Sequence, residues 1–321
     1  MKDSVQKVLL ALVFLLGTAV FVQAQSVDDA GAALNKGIQN KKEGNFELAA
    51  KNFKEAIDLA QMVGPNAFEI EETAKKQLPL MYFKDAAASY QNKKYLEAAN
   101  KFKKAAEIAK QYNNNSLYKR SARNVPALYN AIANSNRKKK NFEEAKKYFD
   151  KAIEFNNNYT KAYLGKMLVY KAVGDEENML SMVKKIKEIE PGGKSAKSAE
   201  SLVQTYYLKK AKGKVDDENY GAALDDIKKY NKYGPGNAQG FYLSAVVYNK
   251  QSQYQQGVDF AKKALNNNPG DDLEGNIYFE LGNAYAGLNK KDQACNAYKK
   301  ALEGPSKEAA KYQMEEVLEC Q

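Results

Sequence analysis

Between Phe279 and Leu302 the chain reads FELGNAYAGLNKKDQACNAYKKAL, and its apolar positions do not form one continuous helical stripe. Small residues stand at Gly282, Ala294 and Ala301, and the aromatics Tyr285 and Tyr298 lie between them. The polar GLNKK breaks the run, so the spacing predicts two helices, Phe279 to Ala286 and Lys291 to Leu302, folded back on each other. Gly and Ala would remove bulk at the contact, and Leu281, Tyr285 and Tyr298 would fill the space beside it. One such hairpin cannot bury its own apolar face, so the pattern should recur along the chain.

It does recur. Ala245, Tyr248, Gly257, Ala261 and Ala264 repeat it upstream, and Tyr129, Ala133, Ala145, Phe149 and Ala152 repeat it again. Tyr163, Met167, Tyr170, Met179, Val183 and Ile186 form a bulkier copy, and Tyr207, Ala211, Tyr220, Ala223, Ile227 and Tyr230 another. Gly37, Phe46, Ala49, Phe53 and Ala56, then Ala86, Tyr95, Ala98, Phe102 and Ala105, complete seven copies, with starts near residues 30, 79, 126, 160, 204, 238 and 275. The steps 126 to 160 and 204 to 238 are 34 residues each. Longer steps elsewhere imply extended helices or an added helical segment such as AFEIEETAKKQL at 67–78. All seven prolines are expected between helix pairs and none inside a helix.

These residues resemble the tetratricopeptide repeat family, and the resemblance spans roughly residues 30–305. An aromatic early in the first helix, small residues at the helix contacts and a proline after the second helix carry it. It implies an all-α fold, an α-α superhelix of about seven helix pairs, and a scaffold for protein–protein interaction. The segment SKEAAKYQMEEVLECQ then reads as a capping helix over 306–321, with Ala309, Tyr312, Val317 and Leu318 as its apolar stripe. The array itself is assigned to 25–305.

Residues 1–24 differ from the rest. Two lysines in MKDSVQK, the apolar VLLALVFLLGTAVFV and the terminal VQA read as a secretory signal peptide cut between Ala24 and Gln25. No other long apolar run follows, so no membrane span is expected after cleavage, and the mature protein is expected in the periplasm or outside the cell, as an exported bacterial protein. Removing Lys2, Lys7 and Asp3 leaves 48 basic minus 38 acidic residues, or +10. That charge fits either lysine-rich helix faces that stay solvated or an anionic partner such as envelope glycan or lipid headgroups, met by NRKKK at 136–140 and YKRSAR at 118–123. Nucleic acid is not an expected partner of an exported chain.

The chain contains no histidine, which removes imidazole bases, Ser–His–Asp arrangements and most zinc sites. GPGNAQG at 234–240 misplaces its third glycine for a dinucleotide loop and reads as a turn, and the acidic runs DDEN and GDEEN sit where second helices begin. No catalysis and no cofactor are expected. Function should then lie on the first-helix faces. One position reads Leu34, Phe83, Asn130, Leu164, Leu208, Tyr242 and Phe279; four residues on, the same face reads Ile38, Ala87, Asn134, Leu168, Lys212, Val246 and Asn283. This ladder is either a groove for an extended peptide or helix of another protein, with Asn130, Asn134, Leu168, Lys212, Tyr242, Phe279 and Asn283 as its contacts, or a seal between neighbouring repeats. The cationic pairs with which related repeats clamp a C-terminal carboxylate are absent from these positions. Finally, Cys295 and Cys320 lie at matching distances on either side of a turn near Lys307, and export would favour a disulfide between them.

Overall fold

The computed structural model describes residues 26–234 and 237–320. The signal segment and its cut lie outside these residues, as do Pro235 and Gly236 of the GPGNAQG turn. The described residues contain helices and turns and no strand. None of their helices is long and apolar enough to cross a membrane.

Helices follow one another in pairs: α1 (Val27–Glu43) and α2 (Phe46–Val63), α3 (Phe68–Gln91) and α4 (Tyr95–Gln111), α5 (Asn115–Lys138) and α6 (Phe142–Phe155), α7 (Thr160–Val173) and α8 (Glu176–Ile189). Then come α9 (Lys194–Asp216) and α10 (Tyr220–Lys232), α11 (Ala238–Lys250) and α12 (Tyr254–Leu265), α13 (Asp271–Gly287) and α14 (Lys291–Ala301), with α15 (Lys307–Tyr312) last. The chain divides into two compact units, residues 26–139 with Asp150–Asn157, and Lys140–Phe149 with 158–320. Among the described residues, the core of the first unit gathers Phe53, Ile57, Leu78 and Met81 around buried alanines. In the second, Val258, Ile277 and Leu281 pack with Ala245, Ala261 and Ala264.

The spacing seen in the sequence has a direct steric cause. A Cβ built on Gly282 would stand 2.5 Å from the Tyr298 ring, and one on Gly37 would stand 2.8 Å from Phe53. Each glycine surrenders its side-chain volume to an aromatic of the partner helix, which is fully buried in both places. Where the second helix carries Ala261 instead, Ala245 replaces the glycine, and both are buried. The contact thus keeps a small residue on the first helix while the residue facing it changes from Tyr298 to Ala261.

Local signals set the helix ends. Ser26 and Asp29 form a reciprocal capping box at the start of α1. Asn114, Asp175, Asn219 and Asn237 each accept a backbone N–H in the first turn of the helix they begin. Within every pair, a residue with positive φ stands two places before the second helix: Gly44, Lys93, Lys140, Gly174, Glu218, Ser252 and Asn289. In six of the seven, the N–H of the next residue reaches back five places to the first helix, as Asn219 does to the Lys214 carbonyl at 2.8 Å. The turn is thus fixed by backbone hydrogen bonds and only twice uses the glycine that this conformation favours.

Two expectations need correction. Pro79 lies inside α3 and Pro126 inside α5, both buried. The first helices of three pairs begin upstream of the repeat starts at 79, 126 and 204, at Phe68, Asn115 and Lys194, and they run for 24, 24 and 23 residues. A proline in mid-helix removes one backbone bond and costs about 3 kcal/mol. Here it is offset by packing along both flanks of the long helices, with Leu78, Met81, Val125 and Leu128 all buried beside the prolines. The closing segment also differs. After α15 the chain takes a π-helical turn over Gln313–Val317, and its inward stripe is Ala310, Met314 and Leu318. Tyr312 and Val317 are 59% and 52% exposed and do not form the seal.

Cys295 and Cys320 are joined in a disulfide, with Cα atoms 5.8 Å apart. Cys295 is buried in α14, and the Cys320 N–H bonds the Met314 carbonyl at 2.8 Å. Closing a loop of this length stabilises by roughly 3 kcal/mol in the chain-entropy view.

An ion network ties the fourth pair to the fifth. Glu176, at the start of α8, accepts from Tyr207 Oη at 2.7 Å, Lys229 Nζ at 2.8 Å and Lys210 Nζ at 2.9 Å. Burial pushes this carboxyl up, but hydrogen bonds from Lys229, Lys210 and Tyr207 outweigh it and hold the group down at about 2, against an ordinary 4.5. A depressed carboxylate stabilises the fold above its unfolded value and loses that effect as pH falls through its folded value. Glu176→Gln should therefore cost roughly 1–3 kcal/mol at neutral pH, after allowance for solvent contact. Urea unfolding should show this gap closing between about pH 4.5 and about pH 2; a gap independent of pH would contradict the account.

The steric argument makes a second prediction. Gly282→Ala should destabilise by about 1–3 kcal/mol because Tyr298 has no room to move. Glu218→Gly should stabilise by a few tenths to about 1 kcal/mol by relieving the left-handed backbone. Both are read from urea midpoints, and opposite signs are required.

Candidate functional site

The residues expected to form a groove divide between the two units. Asn130 and Asn134 belong to α5 in the first unit. Leu168, Lys212, Tyr242, Phe279 and Asn283 belong to α7, α9, α11 and α13 in the second. Of the whole ladder only Lys212 is fully exposed; the other thirteen positions are half-buried. They are thus both packing residues and surface. Leu34 and Ile38 flank one core cluster, and Tyr242 flanks two.

In the first unit, Asn134 donates to the Asn130 carbonyl at 2.9 Å and accepts from Arg137 Nε at 3.3 Å. The Asn130 side-chain oxygen is buried without a hydrogen-bond partner. Beside these amides, a cleft of about 290 Å³ opens between α3, α4 and α5, lined by Ala87, Tyr90, Tyr95, Asn124, Ala127 and Leu128 among others. Its two tyrosines are 53% and 40% exposed, with ring centroids 5.8 Å apart. At the other end of the same helix faces, the Arg120 guanidinium lies over the Phe83 ring at 4.7 Å.

In the second unit, three of the expected residues meet around one that sequence reasoning did not single out. Glu280 on α13 accepts from Asn249 Nδ2 on α11, at 2.8 Å to the carboxylate and 2.9 Å to its main-chain carbonyl. The Asn283 amide, one turn on, acts to lower the Glu280 carboxyl. The Asn283 oxygen in turn accepts from Tyr298 Oη at 2.8 Å. Phe279 packs against the same Tyr298, with ring centroids 5.7 Å apart. Burial raises the Glu280 carboxyl above the ordinary carboxylate range, against the opposing Asn249 and Asn283 amides. Tyr242 on α11 is pushed up to about 12, first by burial and then by the Glu280 charge.

Leu168 and Lys212 stand apart from this network, on α7 and α9. Glu280 and Asn249 were missed because the ladder follows one helix position and its partner four residues on, and these two lie at neighbouring positions. The usable signal was the acidic residue in the otherwise apolar run YFELG. No group of three or more metal-ligating side chains occurs among the described residues. The arrangement offers apolar contact area, side-chain amides and one sheltered carboxylate, which are means of recognition.

Comparison with known proteins agrees with the helix pairs. Family models for the tetratricopeptide repeat match residues 126–159 and 275–303. No curated protein matches. Among solved structures, similarity is found to YrrB, described as a TPR protein with an unusual peptide-binding site, at 16% identity over 59% of this chain and 91% of that one, with a TM-score of 0.35. The MamA protein is similar at 19% identity over 60% and 95% of the two chains, with a TM-score of 0.34. The TPR2AB domain of yeast Sti1, solved with pHSP90, is similar at 14% identity over 90% and 95%, with a TM-score of 0.31. The assignment rests on the two repeat matches and on the paired helices with small residues at their contacts. The two matched segments, 126–159 and 275–303, are tetratricopeptide repeats.

Proposed function

We propose that this protein is a non-catalytic, exported scaffold that binds an extended segment or a helix of another envelope protein along the first-helix faces of its pairs. The observation that carries this reading is the half-buried ladder together with the tyrosine-lined cleft between α3, α4 and α5. Aromatic area with few rotatable bonds, set beside amides that can bond any peptide backbone, suits recognition of main chain.

The anionic-glycan or lipid reading draws less support from the fold. The basic clusters near 118–123 and 136–138 occupy opposite ends of α5. Arg120 and Arg137 are therefore separated by about 25 Å along the helix. Arg120 is also engaged with Phe83, and Arg137 with Asn134. Two separated clusters make a weak footprint for a polyanion, whose binding would in addition fall steeply with salt.

Export is tested by intact mass. The secreted or periplasmic form should begin at Gln25, either free or cyclised to pyroglutamate, whereas a membrane-bound chain that keeps Met1 would refute it. The groove is tested by position. A photoreactive amino acid in place of Lys212, an exposed first-helix site, should trap a protein partner in the native compartment. The same group in place of Lys228, exposed on a second helix, should not. Equal labelling from both positions, or labelling from 228 alone, would place the binding surface elsewhere.

A further inference from the structure

Glu280 differs from three other sheltered carboxylates that have a cation beside them. Asp85 has Lys101 at 2.9 Å, Glu176 has Lys210 and Lys229 within 2.9 Å, and Asp226 has Lys210 at 3.6 Å. Glu280 has no lysine or arginine within ion-pair distance among the described residues. Lys250, on α11, is the cation whose charge reaches it, and it forms no pair. The other groups facing Glu280 are Asn249 and Tyr242 from α11, Asn283 from α13 itself and Tyr298 from α14.

A carboxylate withdrawn from water without a counter-ion costs stability. The Asn249 amide partly offsets this cost, and it also fixes the carboxylate in place. Ionised, the group has about four acceptor sites, of which Asn249 fills one at 2.8 Å. The remaining sites belong to a side chain that keeps contact with solvent. Half-buried Tyr242 and Phe279 lie in the same neighbourhood, and aromatic faces favour a cation over an anion. The local polarity opposes that of the chain as a whole, whose formal net charge is +11.

We propose that Glu280, held by Asn249 between the sixth and seventh helix pairs, anchors a lysine or arginine side chain of the partner segment that crosses α11 and α13. This rests on the groove reading and gives it a chemical direction: the partner presents a basic residue here, flanked by groups that cover Tyr242 and Phe279. The incoming cation supplies the counter-charge that the fold withholds.

The test is selection of peptides of about twelve residues from a phage-displayed random library on the full-length protein, followed by affinity measurement on Glu280→Gln and Glu280→Asp. Gln keeps the acceptor for Asn249 and removes the charge, so its melting temperature should equal or exceed that of the parent. Selected peptides should share a lysine or arginine. Their affinity should fall at least roughly tenfold on Glu280→Gln, as for a lost charge-assisted contact, and recover in part with Glu280→Asp. Affinity for the parent should rise from about pH 4 to about pH 8 as the carboxyl ionises, and that rise should vanish in Glu280→Gln. Peptides without a basic preference, or with equal affinity for Glu280→Gln, would overturn this proposal and leave the groove intact. Recovery of no peptide at all would overturn the groove reading, and this proposal with it.

Discussion

The whole architecture depends on how closely two helices can approach before their side chains collide. About half of the buried hydrophobic positions among the described residues are alanine, and larger residues such as Phe53, Tyr298, Met167 and Ile277 occupy the rest. Small residues let backbones come near, and one large residue per contact then fills what remains, to the density of a protein interior. Because the requirement falls on close approach, Gly can face Tyr in one pair and Ala can face Ala in another. The family signature is therefore degenerate in residue identity and strict in space.

That constraint explains why the fold was legible and where legibility stopped. The pairing of small and large positions exposes the hairpins directly, and family models match two of the seven copies, near 126 and 275. The prolines misled because a proline read alone signals an interruption, whereas Pro79 and Pro126 are buried in helices long enough to repay the missing bond. The turns between paired helices were invisible as a class, since Lys, Glu, Ser and Asn serve there alongside Gly. Backbone hydrogen bonding sets that conformation, and a residue pattern does not record it. In the closing segment the sequence points to a stripe of Ala309, Tyr312 and Val317, whereas Ala310 and Met314 face inward with Leu318.

The candidate site was legible only in part. Tyr242, Phe279 and Asn283 follow from counting along the first helices, and they meet around a carboxylate that the count stepped over. Sequence spacing assigns a face but gives no information on whether a charged residue there finds its opposite. Glu176 and Glu280 look alike as letters. One gathers two lysines from the next helix pair and strengthens a junction; the other receives an amide only and remains electrically unanswered. The difference arises from which helix is brought alongside, a property of the packed array.

The disulfide at the carboxyl end bears on how such a protein comes apart. In an array whose pairs contact their neighbours, the terminal pair has a neighbour on one side only and opens first, so unravelling starts at an end and runs inward. Cys295 and Cys320 fasten the last turn of chain to the last pair, just beyond the helix that carries Glu280. Reduction would release that clasp and free the closing segment from α14, opening a place from which fraying, and attack by proteases, can begin. The redox state of its surroundings then becomes a determinant of how long the molecule survives.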